Sequence, residues 1–176
     1  MPAIATAFLA NAARRLAPLD SALALAQSPT DVAWTLCRFT GKELQLVDVI
    51  VYLCDPGGRT LTQQAAWGPK RAASRVLESR LTLALGQGIV GRCAQARLPQ
   101  RTGDARFDTR YVPDDQSNLS ELAVPIQCGD SLFGVLDSEH PEGDHYALVH
   151  EHALQAIAER GARRLQVLAP AIKPGA

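Results

Sequence analysis

The sequence is first distinguished by what it lacks. It has no excess charge, with 18 Lys and Arg against 18 Asp and Glu. It therefore has no electrostatic basis for holding nucleic acid or an anionic membrane as its main partner. Its longest apolar run, Val49 to Cys54, falls far short of the ~20 residues that span a bilayer. No basic segment precedes the apolar N-terminal residues, and Asn11, Arg14 and Arg15 interrupt them, which argues against a signal peptide. The cysteines, at 37, 54, 93 and 128, form no Cys-x-x-Cys pair. That excludes a zinc ribbon or a secreted disulfide framework, and leaves reduced, core-packed thiols in a cytoplasmic protein as the expectation.

The remainder is ordinary globular material. Hydrophobic residues make up 47% and charged ones 20%, with 13 Gly and 11 Pro, which excludes disorder, collagen-like repeats and coiled-coil rods. A chain of 176 residues suffices for one domain with its own core. No internal repeat or linker divides it. Charge is unevenly spread, however. Lys70 to Arg110 holds nine basic residues against three acids, while Tyr111 to Glu159 holds ten acids and no Lys or Arg. Two such segments either attract across the fold or furnish a mixed-charge cleft.

Residues 4–17 read as an amphipathic helix, with Ile4, Phe8, Ala12 and Leu16 at steps of four. Ser28-Pro29-Thr30-Asp31 is a helix start, with a capping Ser, a Pro at the first helical position and an acid where the dipole favours it. That helix runs to about Leu44. Leu46 to Cys54 is a β-rich run closed by Asp55-Pro56-Gly57-Gly58, and Arg59 to Trp67 is its return strand. On the first strand Val47, Val49, Val51 and Leu53 share the face expected to meet helices, which turns Asp48 and Tyr52 to the other side. Leu81 to Leu85 is a third strand, and Gly86-Gln87-Gly88 opens a helix lasting to about Ala96. Residues 98–119 read as a long loop, and loops of that length in a compact domain are often functional. Leu122 to Cys128 and Leu132 to His140 form a hairpin around Gly129-Asp130, followed by a helix from Tyr146 to Leu168. Helices at both ends with antiparallel hairpins between them make an α+β fold.

Four motifs in order carry a resemblance: Gly86-Gln87-Gly88-Ile89-Val90-Gly91; Asp104 with Asp108-Thr109-Arg110-Tyr111; Ser120-Glu121-Leu122-Ala123-Val124-Pro125-Ile126; and Gly134-Val135-Leu136-Asp137-Ser138-Glu139-His140. Over roughly residues 28–166 the chain resembles a GAF domain. The Trp67-Gly68-Pro69-Lys70 piece and the Asp137-to-His140 ending look most like GAF modules beside bacterial histidine kinases and diguanylate cyclases. The resemblance implies a central antiparallel sheet of five to six strands, with the N- and C-terminal helices on one face and a small-molecule site on the other, under the 98–119 loop. It divides the chain into an N-terminal helical extension (1–27), the GAF-like domain (28–168) and a disordered tail (169–176). It also implies a sensory or regulatory module, which either acts on a signalling protein in trans or binds its ligand for another purpose; a structural dimerisation module without ligand is the further alternative.

One branch of that family, the free methionine sulfoxide reductases, resembles this sequence in its carboxylates. The positions matching its substrate-holding acids are Glu121, Asp137 and Glu139, and Tyr52 matches one of its two aromatics. Asp48 stands where the second aromatic would be. No cysteine lies in residues 98–119, and Val90 stands where the resolving cysteine would be. Without a thiolate and its partner that redox cycle does not run, so a non-enzymatic module is expected. Cys93 is expected to be packed.

The expected ligand-binding residues are Tyr52, Trp67, Arg110, Tyr111, Glu121, Asp137 and Glu139. The acids would hold a cationic end, the aromatics would stack, and Arg110 would close the loop or else pair with Asp108 or Asp137. A two-residue turn at Gly129-Asp130 places Leu122 opposite Asp137 and turns Glu121 away. A bulge, which Pro125 within the strand can mark, would bring Glu121 round. Gly86 and Gly88 serve a tight turn rather than a phosphate cradle, since no Gly-Lys-Ser/Thr follows. No metal site is expected: His150 and His152 point about 200° apart on a helix and read as surface residues. Val149, Ala153, Leu154, Ile157 and Gly161 form a stripe on the last helix expected to be a homodimer interface.

Overall fold

The computed structural model describes residues 2–73, 75–77, 80–104 and 118–168. Helices α1 (Pro2–Ala10) and α2 (Ala12–Leu25) replace the one helix expected at the N-terminus, with a break at Asn11. Helix α3 (Pro29–Leu44) starts as its sequence dictates. The Ser28 hydroxyl oxygen accepts from the Asp31 N–H at 3.1 Å, and Pro29 occupies the first turn, where no N–H is missed. Its end is set by Gln45, left-handed at φ 54°, which turns the Leu46 N–H back to the Gly41 carbonyl at 3.1 Å.

Strands β1 (Asp48–Cys54), β2 (Thr60–Trp67), β5 (Thr82–Ala84), β6 (Gln100–Thr102), β7 (Ser120–Cys128) and β8 (Ser131–His140) form one antiparallel sheet in the order β5-β2-β1-β8-β7-β6. A separate ribbon, β3 (Arg71–Ala73) with β4 (Val76–Leu77), follows β2 and was not anticipated. Nor was β6, an edge strand that begins within the stretch read as loop. Helices α4 (Gly88–Ala96) and α5 (Leu148–Leu168) complete the fold.

The sheet separates two cores. On one face Val49, Val51, Leu122, Val124 and Leu136 pack against residues of α1, α2, α3 and α5. On the other, Ile50, Tyr52, Ala123 and Val135 meet Ile89, Val90, Cys93 and Ala94 of α4. Helices on both sides of the sheet explain why the inner strands β1 and β7 are buried almost throughout. Gly86 (φ +84°) and Gly88 (φ +65°) both sit in the left-handed region, and the Gly86 N–H is spent on the Gly91 carbonyl at 2.8 Å. The glycine motif therefore makes the strand-to-helix turn.

Register within the β7–β8 hairpin decides the site. Gln127 pairs with Leu132 but Ile126 pairs with Gly134, so Phe133 is an extra residue on β8. This is the required bulge, placed on the partner strand rather than at Pro125. Pro125 itself lies where β7 has run past β6, whose pairing ends at Ala123.

Candidate functional site

Because residues directly opposite in an antiparallel pair share a face, the registers define one row of acids. Asp48 on β1 opposes Glu139 on β8, and Glu139 opposes Glu121 on β7. One step inward, Asp137 stands between Ile50 and Ala123. Four carboxylates thus lie on the α4 side of the sheet, with relative exposures of 1% (Asp48), 6% (Glu121), 0% (Asp137) and 6% (Glu139).

Such a concentration of buried negative charge requires compensation. Lys70, just beyond β2, supplies part of it. Its Nζ lies 2.8 Å from Glu139 Oε1 and 3.5 Å from Asp48 Oδ2. The Asn118 side-chain N–H₂ donates to Glu139 Oε2 at 2.7 Å. Both oxygens of Glu139 are therefore held. Asp137 is treated differently: both its oxygens are buried and neither has a hydrogen-bond partner among the described residues. Burial first, then the charges of Glu121 and Glu139, push its carboxyl well above the ordinary range, with Lys70 opposing them. The same acids, Asp137 and Glu121, add to burial in raising the Cys93 thiol far above its ordinary value.

A family model described as GAF domain matches residues 28–165. The chain belongs to the GAF domain family. No curated protein matches it. Among solved structures the chain resembles a putative GAF sensor protein from Burkholderia vietnamiensis, at TM-score 0.75 and 20% identity, covering 89% of this chain and 94% of that one. It also resembles the GAF domain of a phosphoenolpyruvate-protein phosphotransferase from Coxiella burnetii, at 0.75 and 18%, with the same coverage. A third neighbour is the free methionine-R-sulfoxide reductase from Neisseria meningitidis in complex with its substrate, at 0.71 and 18%, covering 85% of each chain. At these identities the likeness is one of fold.

Within this GAF domain the structure brings Tyr52, Glu121, Asp137 and Glu139 to one face, with Tyr52 across from Val135 and 3% exposed. Arg110 and Tyr111 lie outside the described residues, as does the tail from 169. Trp67 departs from expectation. Its partner across the sheet is Val49, so its indole lies on the helical side, against Gly41 of α3, with Nε1–H donating to the Leu46 carbonyl at 3.1 Å. It is not with the acids. Asp48, Lys70 and Asn118 complete the cluster but were not named as ligand residues. Asp48 was visible as a polar residue in an apolar strand, whereas Lys70 and Asn118 needed the fold.

The expected dimer stripe is also corrected. Ala153, Leu154 and Ile157 are fully buried within the chain and Val149 is half-buried. A Cβ on Gly161 would come within 2.5 Å of Leu36 Cδ1. That stripe is consumed by the chain's own core, packed on β7, α1 and α3.

His150, read as a surface residue, is 1% exposed, and its Nδ1 accepts the Ala147 N–H at 3.0 Å in the first turn of α5. The turn after β8 stacks His145 on His140, ring centroids 3.5 Å apart, and gathers both with Glu142 into a group whose ligand-capable atoms lie within 4.8 Å of one another. Burial first, then the neighbouring His140, lower the His145 imidazole to about 4. The His140 Nδ1 lone pair is already taken by the Glu142 N–H at 3.0 Å. No described helix is long and apolar enough to cross a membrane.

Proposed function

We propose that this GAF domain is a small-molecule-binding regulatory module whose ligand seats a cationic group on Asp48, Glu121, Asp137 and Glu139. The observation that carries the reading is Asp137. A fully buried carboxyl group with neither oxygen hydrogen-bonded among the described residues is costly to keep, and a ligand that completes its hydrogen bonds gives the position a purpose. Charge supports the same choice, since Asp48, Glu121, Asp137 and Glu139 share one face of the sheet and a cation complements carboxylates. Binding regulates only if it favours one arrangement of the chain over another. The β6 edge pairs with Glu121 through Thr102, and a partner protein in trans would read a change there.

The competing reading is a methionine sulfoxide reductase-like enzyme, favoured by the shared carboxylates. That chemistry needs a thiolate to attack the sulfoxide sulfur and a second thiol to release it as a disulfide. The thiol beside the acids is Cys93, which is buried and held protonated by its surroundings, and residues 98–119 carry no cysteine.

A thermal-shift panel of amino acids, amines, cyclic nucleotides, nitrate, 2-oxo acids and methionine sulfoxide tests the proposal. A ligand at 100 times its dissociation constant adds about 2.7 kcal/mol, or about 5–11 °C for a chain of this size. Shifts confined to ammonium- or guanidinium-bearing compounds, and lost in Asp137→Asn, support it. Shifts from anions alone, or none at all, overturn it. Thiol-dependent turnover of methionine sulfoxide that is lost in Cys93→Ser would establish the enzyme.

A further inference from the structure

On the helical side of the sheet, away from the acids, a cavity of about 550 Å3 opens between α2, α3, the end of β2 and the β3–β4 turn. Its volume falls in the range of small-molecule sites. Both tryptophans of the chain, Trp34 and Trp67, line it together with Phe39. The Trp67 indole is fixed in place: Gly41 lets it lie flat on α3, and its N–H is held by the Leu46 carbonyl. A rigid aromatic wall binds a flat partner with little ordering cost.

Charge gives the cavity its sign. Arg38, Lys42 and Arg75 line it against a single acid, Glu43. Glu43 is engaged by Arg15 at 3.5 Å, and Arg75 by Asp31 at 2.8 Å. Arg38 and Lys42 are four residues apart on one face of α3, both exposed, and neither has an ion pair or side-chain hydrogen bond among the described residues. Two unengaged cations beside three aromatic rings suit a planar ring that carries an anion.

We propose that this cavity is a second ligand site, for a planar aromatic anion that stacks between Trp34, Trp67 and Phe39 and pairs with Arg38 and Lys42. It is separate from the acidic site proposed above, and neither depends on the other. The anion is a carboxylate or a phosphate monoester, which share this chemistry and which the test distinguishes.

Because the only two tryptophans line the cavity, their emission reports occupancy directly. The full chain is titrated with benzoate and with phenyl phosphate, using benzamide as the uncharged ring and cyclohexanecarboxylate as the non-planar anion. The expected result is a saturable change in emission with benzoate or phenyl phosphate, whichever binds more tightly naming the anion. Affinity should fall about tenfold for each control and for Arg38→Met/Lys42→Met. Both substituted side chains are exposed, so a thermal melt of the double variant confirms an intact fold. No saturable change at millimolar probe, equal binding of benzamide and benzoate, or full affinity in the double variant overturns the proposal. So does emission that changes with protein dilution alone, which would mean that a second copy of the chain fills the cavity.

Discussion

Replacing Asp137 by Asn should stabilise this protein at neutral pH while removing its response to a cationic ligand. The stability effect follows from linkage. In the unfolded chain the carboxyl titrates near its ordinary value, whereas in the fold burial, Glu121 and Glu139 raise it well above that. Between the two values the native state binds the proton and the unfolded state does not, so stability falls as pH rises through that window. Below the unfolded value the destabilisation is absent, and above the folded value it is present in full. Each pH unit inside the window costs about 1.4 kcal/mol, equivalent to about 3–6 °C in the midpoint for a domain of this size. Asn cannot ionise, so urea denaturation from pH 5 to pH 8 should give a variant whose stability relative to wild type climbs with pH. Glu121, Glu139, Asp48 and Lys70 are present in both proteins, and the difference curve removes most of their contribution. A difference that stays flat with pH, or a variant that is less stable throughout, would refute the argument. Either result would mean that Asp137 is ionised and well paired in the fold.

Three further outcomes follow from the same geometry. Lys70→Met leaves Glu139 and Asp48 without their shared cation and should cost about 3 kcal/mol in urea denaturation; a loss under 1 kcal/mol would show that the acids are compensated elsewhere. Ile157→Asp places a charge in the core shared by α5 and the sheet and should cost more than about 3 kcal/mol, read as loss of the folded chain in a melt rather than as dissociation; a well-folded variant that only changes oligomeric state would restore the interface reading. Cys93 should resist a thiol reagent in the native protein and react only after denaturant is added, because burial and the nearby acids hold it protonated; mass spectrometry showing Cys93 among the first thiols labelled would contradict its placement.

Local chemistry wrote much of this fold into the sequence. Ser28-Pro29-Thr30-Asp31 starts α3 because the cap, the ring and the acid each satisfy a helix terminus within four residues. Asp55 is equally local: its carboxylate accepts the Gly57, Arg59 and Thr60 N–H groups, which makes the β1–β2 turn nearly self-sufficient. The alternation in β1 put Val49 and Val51 with the helices and Asp48 and Tyr52 opposite, and the structure agrees. The short strands β3, β4 and β6 escaped notice because two or three residues carry too little periodicity to be read.

The sequence by itself determined the order of elements, the two-faced sheet and the residue types available for a site. It left open whether Glu121 would join Asp137 and Glu139, because side-chain facing has a period of two and one extra residue reverses it. Tertiary structure decided that through Phe133, a bulge with no sequence mark of its own. It also decided that Lys70, 69 residues from Glu139, supplies the compensating charge, that Trp67 turns to the helical face, and that the α5 stripe is spent within the chain. An apolar stripe states only that a surface must be covered. What covers it is settled by the packing of the whole chain.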